Sequence, residues 1–235
     1  MQYVMLVRVD PDLPAPAAGN DAEPWVEEGA RTGMRLEGDA LEAPETATTV
    51  RVRNGETLVS DGPFTEAKEY VAGYDLLEAE SLQQAVDYAA RHPVAAYGAI
   101  EVREVWSDFL PELQSARPEP VESGVDYLFL HVPEPELAAA TSREDGDPTS
   151  WVREVERRRV TLGGHRLRDE PDAGAVVRRR DGETLVSRGP FAELAEQVAG
   201  IDRVRVADLD EAIGLAAAHP TSHLGAIEIR PFRIW

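Results

Sequence analysis

Asp61 lies in the stretch Leu-Val-Ser-Asp-Gly-Pro-Phe, residues 58–64, at the end of an alternating run and just before Gly62, Pro63 and Phe64. A carboxylate in that setting can accept backbone N–H groups in an Asx-type turn. It can also face a pocket as a general base or bind a substrate hydroxyl. On the second reading His92 is its companion in acid/base work, and Arg51 and Arg53 are anion contacts. Gly62, Pro63 and Phe64 then shape the ligand site through φ freedom, φ restriction and an apolar anchor. The motif returns at 185–191 with Arg188 in place of Asp61, followed by Gly189, Pro190 and Phe191, and His219 matches His92. A guanidinium cannot act as a base near neutral pH. A proton-transfer centre on this motif should therefore survive around Asp61, with the second set as its degenerate counterpart.

The other reactive side chains give less. His92 and His219 each precede a proline at the end of a helical pattern, where an imidazole suits a capping role. His131, His165 and His223 have no counterpart in the first half, and no spacing of histidines and carboxylates suggests a metal centre. Ser60 and Ser187 lack a nucleophile-elbow context, and Asn54-Gly55 is a turn signal, not a phosphate loop. No metal and no cofactor are expected.

The elements that must position these residues occur twice. Sliding the chain by 127 residues aligns Val50–Arg103 with Val177–Arg230 without a gap, and 29 of the 54 positions are identical. Each copy reads as strand, helix, hairpin, strand, helix, strand. Residues 3–9 form the first strand, and 23–36 carry Trp25, Val26, Ala30, Met34 and Leu36 at helical intervals. Asn54-Gly55 and Asp181-Gly182 each join two short alternating runs, the strongest short hairpin signal. A strand is expected over 71–79, and a second helix starts at Ser81-x-x-Gln84 or Asp208-x-x-Glu211. A last strand over 99–105 closes the unit. This order predicts an α+β fold of two ferredoxin-like domains in tandem. Copy one takes residues 1–107, a Pro/Glu/Ser-rich linker 108–123 and copy two 124–235. Each sheet would keep one bare apolar face, which the two copies can bury as an intrachain pseudo-dimer, with further oligomerisation open.

Composition narrows the function classes. The net charge of −20 repels phosphate backbones and anionic membranes, which excludes nucleic acid as an expected partner. It is uneven, since residues 1–122 carry 24 acids and 9 bases, while 123–235 carry 20 and 15. The triplets Arg157-Arg158-Arg159 and Arg178-Arg179-Arg180 make copy two the more basic. No apolar run reaches the length of a membrane span, the first residues do not read as a signal peptide, and a cytoplasmic location is the expectation. Cysteine is absent, so packing alone must hold the fold.

The runs Ala-Thr-Thr-Val-Arg-Val-Arg (47–53), Asp-Gly-Pro-Phe-Thr-Glu-Ala-Lys-Glu (61–69), Ala72-Gly73-Tyr74, His92-Pro93 and Gly-Ala-Ile-Glu-Val-Arg (98–103) resemble YCII-related proteins of the DGPF type. The resemblance implies a dimeric α/β-barrel version of the ferredoxin-like fold, usually a homodimer. It also implies a role that is mostly unassigned, with some genes beside extracytoplasmic-function sigma factors and a few small-molecule enzymes that use a His–Asp pair. In those enzymes the histidine lies on the first helix, and neither Trp25–Leu36 nor Trp151–Leu162 contains one. Two functions follow as expectations: small-molecule binding with acid/base catalysis at Asp61, or a non-catalytic binding or regulatory module tied to sigma-factor signalling.

Overall fold

The computed structural model describes residues 1–10, 13, 15, 21–64, 69–107, 123–141, 146–189 and 197–234. In the first copy the order is β1 (Gln2–Val9), α1 (Glu23–Thr32), β2 (Arg35–Ala40), β3 (Thr48–Arg53), β4 (Glu56–Asp61), β5 (Tyr70–Glu78), α2 (Leu82–Ala89) and β6 (Ala99–Glu104). The second copy gives β7 (Val125–Pro133), α3 (Pro135–Ala140), α4 (Thr149–Arg157), β8 (Thr161–Arg166), β9 (Gly174–Arg180) and β10 (Glu183–Arg188). It ends with β11 (Gly200–Val206), α5 (Leu209–Ala218), α6 (Pro220–Leu224) and β12 (Gly225–Pro231).

Local chemistry accounts for the boundaries. Both hairpins turn as expected, with Asn54 and Gly55 at φ 53° and 80° and Asp181 and Gly182 at 52° and 83°, the paired positive values of a type I′ turn. Ser81 Oγ accepts the Gln84 N–H at 3.2 Å and Asp208 Oδ1 accepts that of Glu211 at 3.0 Å, so both second helices start at the predicted caps. The expected helix over 23–36 is a correction. It ends at Thr32 because Gly33, at φ 73°, gives its N–H back to Ala30 O. Met34 then leads into a strand and Leu36 is exposed, so their helical spacing is coincidental.

The chain divides into two units: Met1–Leu41 with Ala67–Val105 and Leu167–Phe191, and Glu42–Glu66 with Trp106–Arg166 and Ala192–Trp235. Each unit holds one six-stranded antiparallel sheet, ordered β10-β9-β6-β1-β5-β2 in the first and β4-β3-β12-β7-β11-β8 in the second. Four strands of each follow the ferredoxin-like order, and the outer pair is the hairpin of the other copy. Ile100 faces Val177 in the first sheet, and Ile227 faces Val50 in the second. The exchanged strands also supply core side chains. Ala175 and Val177 pack with Tyr3, Met5, Trp25, Leu77 and Ile100, while Val50 packs with Tyr127, Phe129, Trp151, Val204 and Ile227. Neither core is complete without a segment of the other repeat.

Arginine clamps hold each exchanged hairpin. Arg53 donates to the carbonyls of Ser222 and Gly225 and pairs with Glu134, and the matching Arg180 donates to the carbonyls of Ala95 and Gly98. Arg178, of the same basic triplet, pairs with Glu69, whereas Arg157 and Arg158 pair with Glu154 and Glu211 of their own copy. Among the described residues no helix is long and apolar enough to cross a membrane.

Candidate functional site

In unit two, alternation along β7 points Tyr127, Phe129 and His131 toward the helices, and along β11 it does the same for Asp202 and Val204. His131 stands opposite Gly200, and Asp202 stands opposite Phe129 on β7 and Gly164 on β8. Gly200 brings no side chain between the imidazole and the diagonal Asp202. A Cβ at Gly164 would come within 1.9 Å of Asp202 Oδ1, so this glycine makes room for the carboxylate. The result is a close pair, with His131 Nε2 2.7 Å from Asp202 Oδ2. The ring N–H does not point along that line, so the contact is a close approach and not an aligned hydrogen bond.

His219 completes the group. It follows α5 and caps α6, its Nδ1 accepting the Thr221 N–H at 3.0 Å. Its ring meets His131 edge to face at 4.4 Å and Trp151 at 4.6 Å. Burial holds its pKa well below the ordinary value, and His131 adds to that. His131, Asp202 and His219 offer ligand atoms within 4.8 Å of one another, a gathering that sequence spacing did not suggest. The donor chemistry argues against a metal centre, however. His219 Nδ1 spends its lone pair on a backbone N–H, which leaves the proton of the neutral ring on Nε2, where a metal would need a lone pair. The group suits proton handling better.

The matching place in unit one is built differently. Asp75 pairs with Arg35 at 2.6 Å, and Val7 occupies the place of His131. Burial pushes Asp75 up to about 6 against the pull of Arg35, and pushes His92 down to about 4 with Arg35 adding to it. His92 Nδ1 accepts the Val94 N–H at 3.2 Å, as a cap on the helical turn that follows it. The His92 shift contributes an acid limb. As pH falls from 6.5 to about 4, the unfolded chain protonates a histidine that the fold keeps neutral at His92, and stability is lost. Asp75 works the other way, since the fold holds its proton up to about 6 against 3.8 when unfolded. Urea midpoints across this range are expected to fall less on acidification in His92→Asn, which keeps a capping oxygen, than in the parent. An unchanged slope would refute the assignment.

The residues singled out in the sequence fall elsewhere. Asp61 ends β4 and is exposed; it shares a cross-strand row with Thr48, Ile229, Phe129 and Asp202. Four strand spacings, about 19 Å, separate it from Asp202. His92 belongs to the other unit. Gly62, at φ 88°, donates its N–H to Ala47 O, and its carbonyl accepts from Thr49 Oγ1 at 2.9 Å. Pro63 joins it to Phe64, whose N–H donates to Glu228 Oε2 at 3.1 Å and whose carbonyl accepts from Arg51. These residues and the Arg53 clamp dock the hairpin on β12. In the second copy Arg188 is exposed, and Gly189 repeats the turn with φ 94° and an N–H to Gly174 O. Pro190 and Phe191 lie outside the described residues. Of the named candidates among the described residues, only His219 reaches the His131–Asp202 pair.

The YCII-related domain matches residues 1–109 and again 126–235. The chain belongs to the YCII-related family. A stretch of 43 residues is 49% identical to an uncharacterized protein of Rhizobium meliloti, covering 18% of this chain and 35% of that one. The chain thus matches about a third of that relative's length. For this YCII-related protein, His131 and Asp202 are functional candidates that spacing along the sequence did not bring together. The available signals were Asp202, identical to Asp75 in the aligned repeat, and His131, a histidine with no counterpart in the first copy.

Proposed function

We propose that this YCII-related protein binds a small molecule in unit two and moves a proton through the His131–Asp202 pair. The observation that carries the reading is the 2.7 Å approach of His131 Nε2 to Asp202 Oδ2, at a place where the other copy has valine and a carboxylate neutralised by arginine. An imidazole beside a carboxylate can take a proton near neutral pH and return it, the imidazolium being stabilised by the anion. This suits proton abstraction next to a carbonyl or elimination of a leaving group. A His–Asp pair is also what the resemblance implies for the enzymatic members, here on strands and not on the first helix. Acid/base duty accordingly moves from Asp61 to this pair.

Burial favours a second reading, a non-catalytic binding module, because His131 is only 5% exposed. Small carbonyl and hydroxy-acid compounds should be screened by NMR in deuterated water for solvent exchange of their C–H protons. The parent chain is expected to catalyse exchange of at least one compound. His131→Asn and Asp202→Asn should each slow it about a hundred-fold or more, while Asp75→Asn leaves it unchanged. Exchange that survives both unit-two substitutions would overturn the proposal, and a bound compound that shows no exchange would favour the second reading.

A further inference from the structure

Positions 7 and 94 are both valine and pack in the unit-one core. Their counterparts in the second copy are His131 and Thr221, so the two positions differ together. A third difference accompanies them: Arg35, which holds Asp75, corresponds by register to Thr161. The aspartate that both copies keep is held by a permanent cation in one and by a titratable ring in the other. The residue beside that ring is a hydroxyl instead of an apolar side chain.

A buried imidazole that gains and loses a proton has a problem at its second nitrogen. With Nε2 facing a carboxylate, Nδ1 carries a lone pair in the neutral ring and an N–H in the imidazolium. The first needs a donor and the second an acceptor. A backbone N–H meets only the first need, whereas a hydroxyl meets both by rotating. Thr221 Oγ1 stands 3.4 Å from His131 Nδ1, at the outer reach of a hydrogen bond and within range of a small adjustment. The same residue treats His219 differently, because its fixed backbone N–H donates to His219 Nδ1 at 3.0 Å and favours the neutral ring.

We propose that Thr221 is the positioning residue that lets His131 cycle between imidazole and imidazolium beside Asp202. Thr221 donates to Nδ1 of the neutral ring and accepts from it once charged, and its amide keeps the neighbouring His219 out of the titration. The inference rests on the proton-transfer reading of this site. Asp202 from β11 and His219 from the α5–α6 junction gather with the ring, and Arg166 of β8 shares its cross-strand row across Gly200, its guanidinium lying over Trp106. Ile227 on β12 and Gly200 on β11 flank it in register, and Trp151 on α4 packs against His219; none of these titrates.

The test is a pH titration of the full chain with 15N-labelled histidine rings, with His131→Gln used for assignment. In Thr221→Val both ring states lose their Nδ1 partner, and because the bond to the imidazolium is the stronger, the proton affinity of His131 is expected to fall about five- to tenfold relative to the parent. Thr221→Ser should restore it to within about threefold, and His219 should behave alike in all three chains because the backbone N–H persists. Thr221→Ala removes the hydroxyl without adding bulk and gives the same reading should the valine chain fail to fold. A His131 titration unchanged in the valine or alanine chain overturns the proposal. Proton exchange that survives in His131→Asn would instead strike at the proton-transfer reading, so the two failures are separable.

Discussion

Glu101→Ala is expected to cost about 3–5 kcal/mol of stability, more than the loss of either arginine clamp on the exchanged hairpins. Glu101 is fully buried on β6, and its two oxygens divide their work. Oε2 lies 2.7 Å from Arg8 and Oε1 lies 3.3 Å from Arg103, both arginines being buried themselves. Alanine removes the carboxylate that joins two guanidinium groups withdrawn from water, and the cost is dominated by their desolvation, not by a lost surface attraction. The carboxylate also anchors assembly, since Arg103 reaches the Arg168 carbonyl at the entry to the exchanged hairpin. Urea denaturation provides the measurement. A loss under about 1 kcal/mol would show that β6 does not need its carboxylate.

Arg53→Ala is expected to cost about 2–3 kcal/mol and to act locally. The guanidinium donates to Ser222 O and Gly225 O at 3.0 Å each, so it stitches β3 to α6 and to the start of β12. Its ion pair with Glu134 adds little, because that carboxylate is half exposed and screened. Lysine cannot reproduce two carbonyl bonds from one planar fork, so Arg53→Lys should resemble alanine more than the parent. Amide hydrogen exchange separates local from global loosening. Protection should fall along β3 and β4 in Arg53→Ala while β9 and β10 keep theirs, and Arg180→Ala should give the reverse. Uniform loss across both hairpins would refute the clamp.

Much of the fold was legible because its signals are local. The type I′ dipeptides, the two second-helix caps and the repeat itself each depend on neighbouring residues, and each gave its element. Gly33 was a local signal too, but helical spacing through Met34 and Leu36 masked it, and a short strand carrying Glu37, Gly38 and Asp39 has no alternating apolar pattern to offer. The hairpin exchange was not legible. The β3–β4 and β9–β10 hairpins are similar enough to fit either copy's last strand, so no pattern within one repeat specifies the partner. The His131–Asp202 pair was hidden for a related reason. The retained Gly-Pro-Phe motif points to Asp61, whereas its amides and carbonyls serve docking onto Glu228 and Thr49. His131 and Asp202 are far apart in the chain and become neighbours only through the β7–β11 register.

The exchange also governs when the chain can fold during synthesis. β6 ends at Glu104 and its sheet neighbour β9 begins at Gly174, an interval of roughly 70 residues, or about 4–14 s of ribosomal elongation. Throughout that time β6 has no native neighbour on one side, and an open strand edge is a template for pairing with another nascent chain. The first hairpin waits longer still, because β3 pairs with β12, which is made after all the other strands of both sheets. Contacts so distant in sequence close slowly. The earliest-made half therefore cannot reach its native state until β12 has left the ribosome, and the two repeats mature as one folding unit.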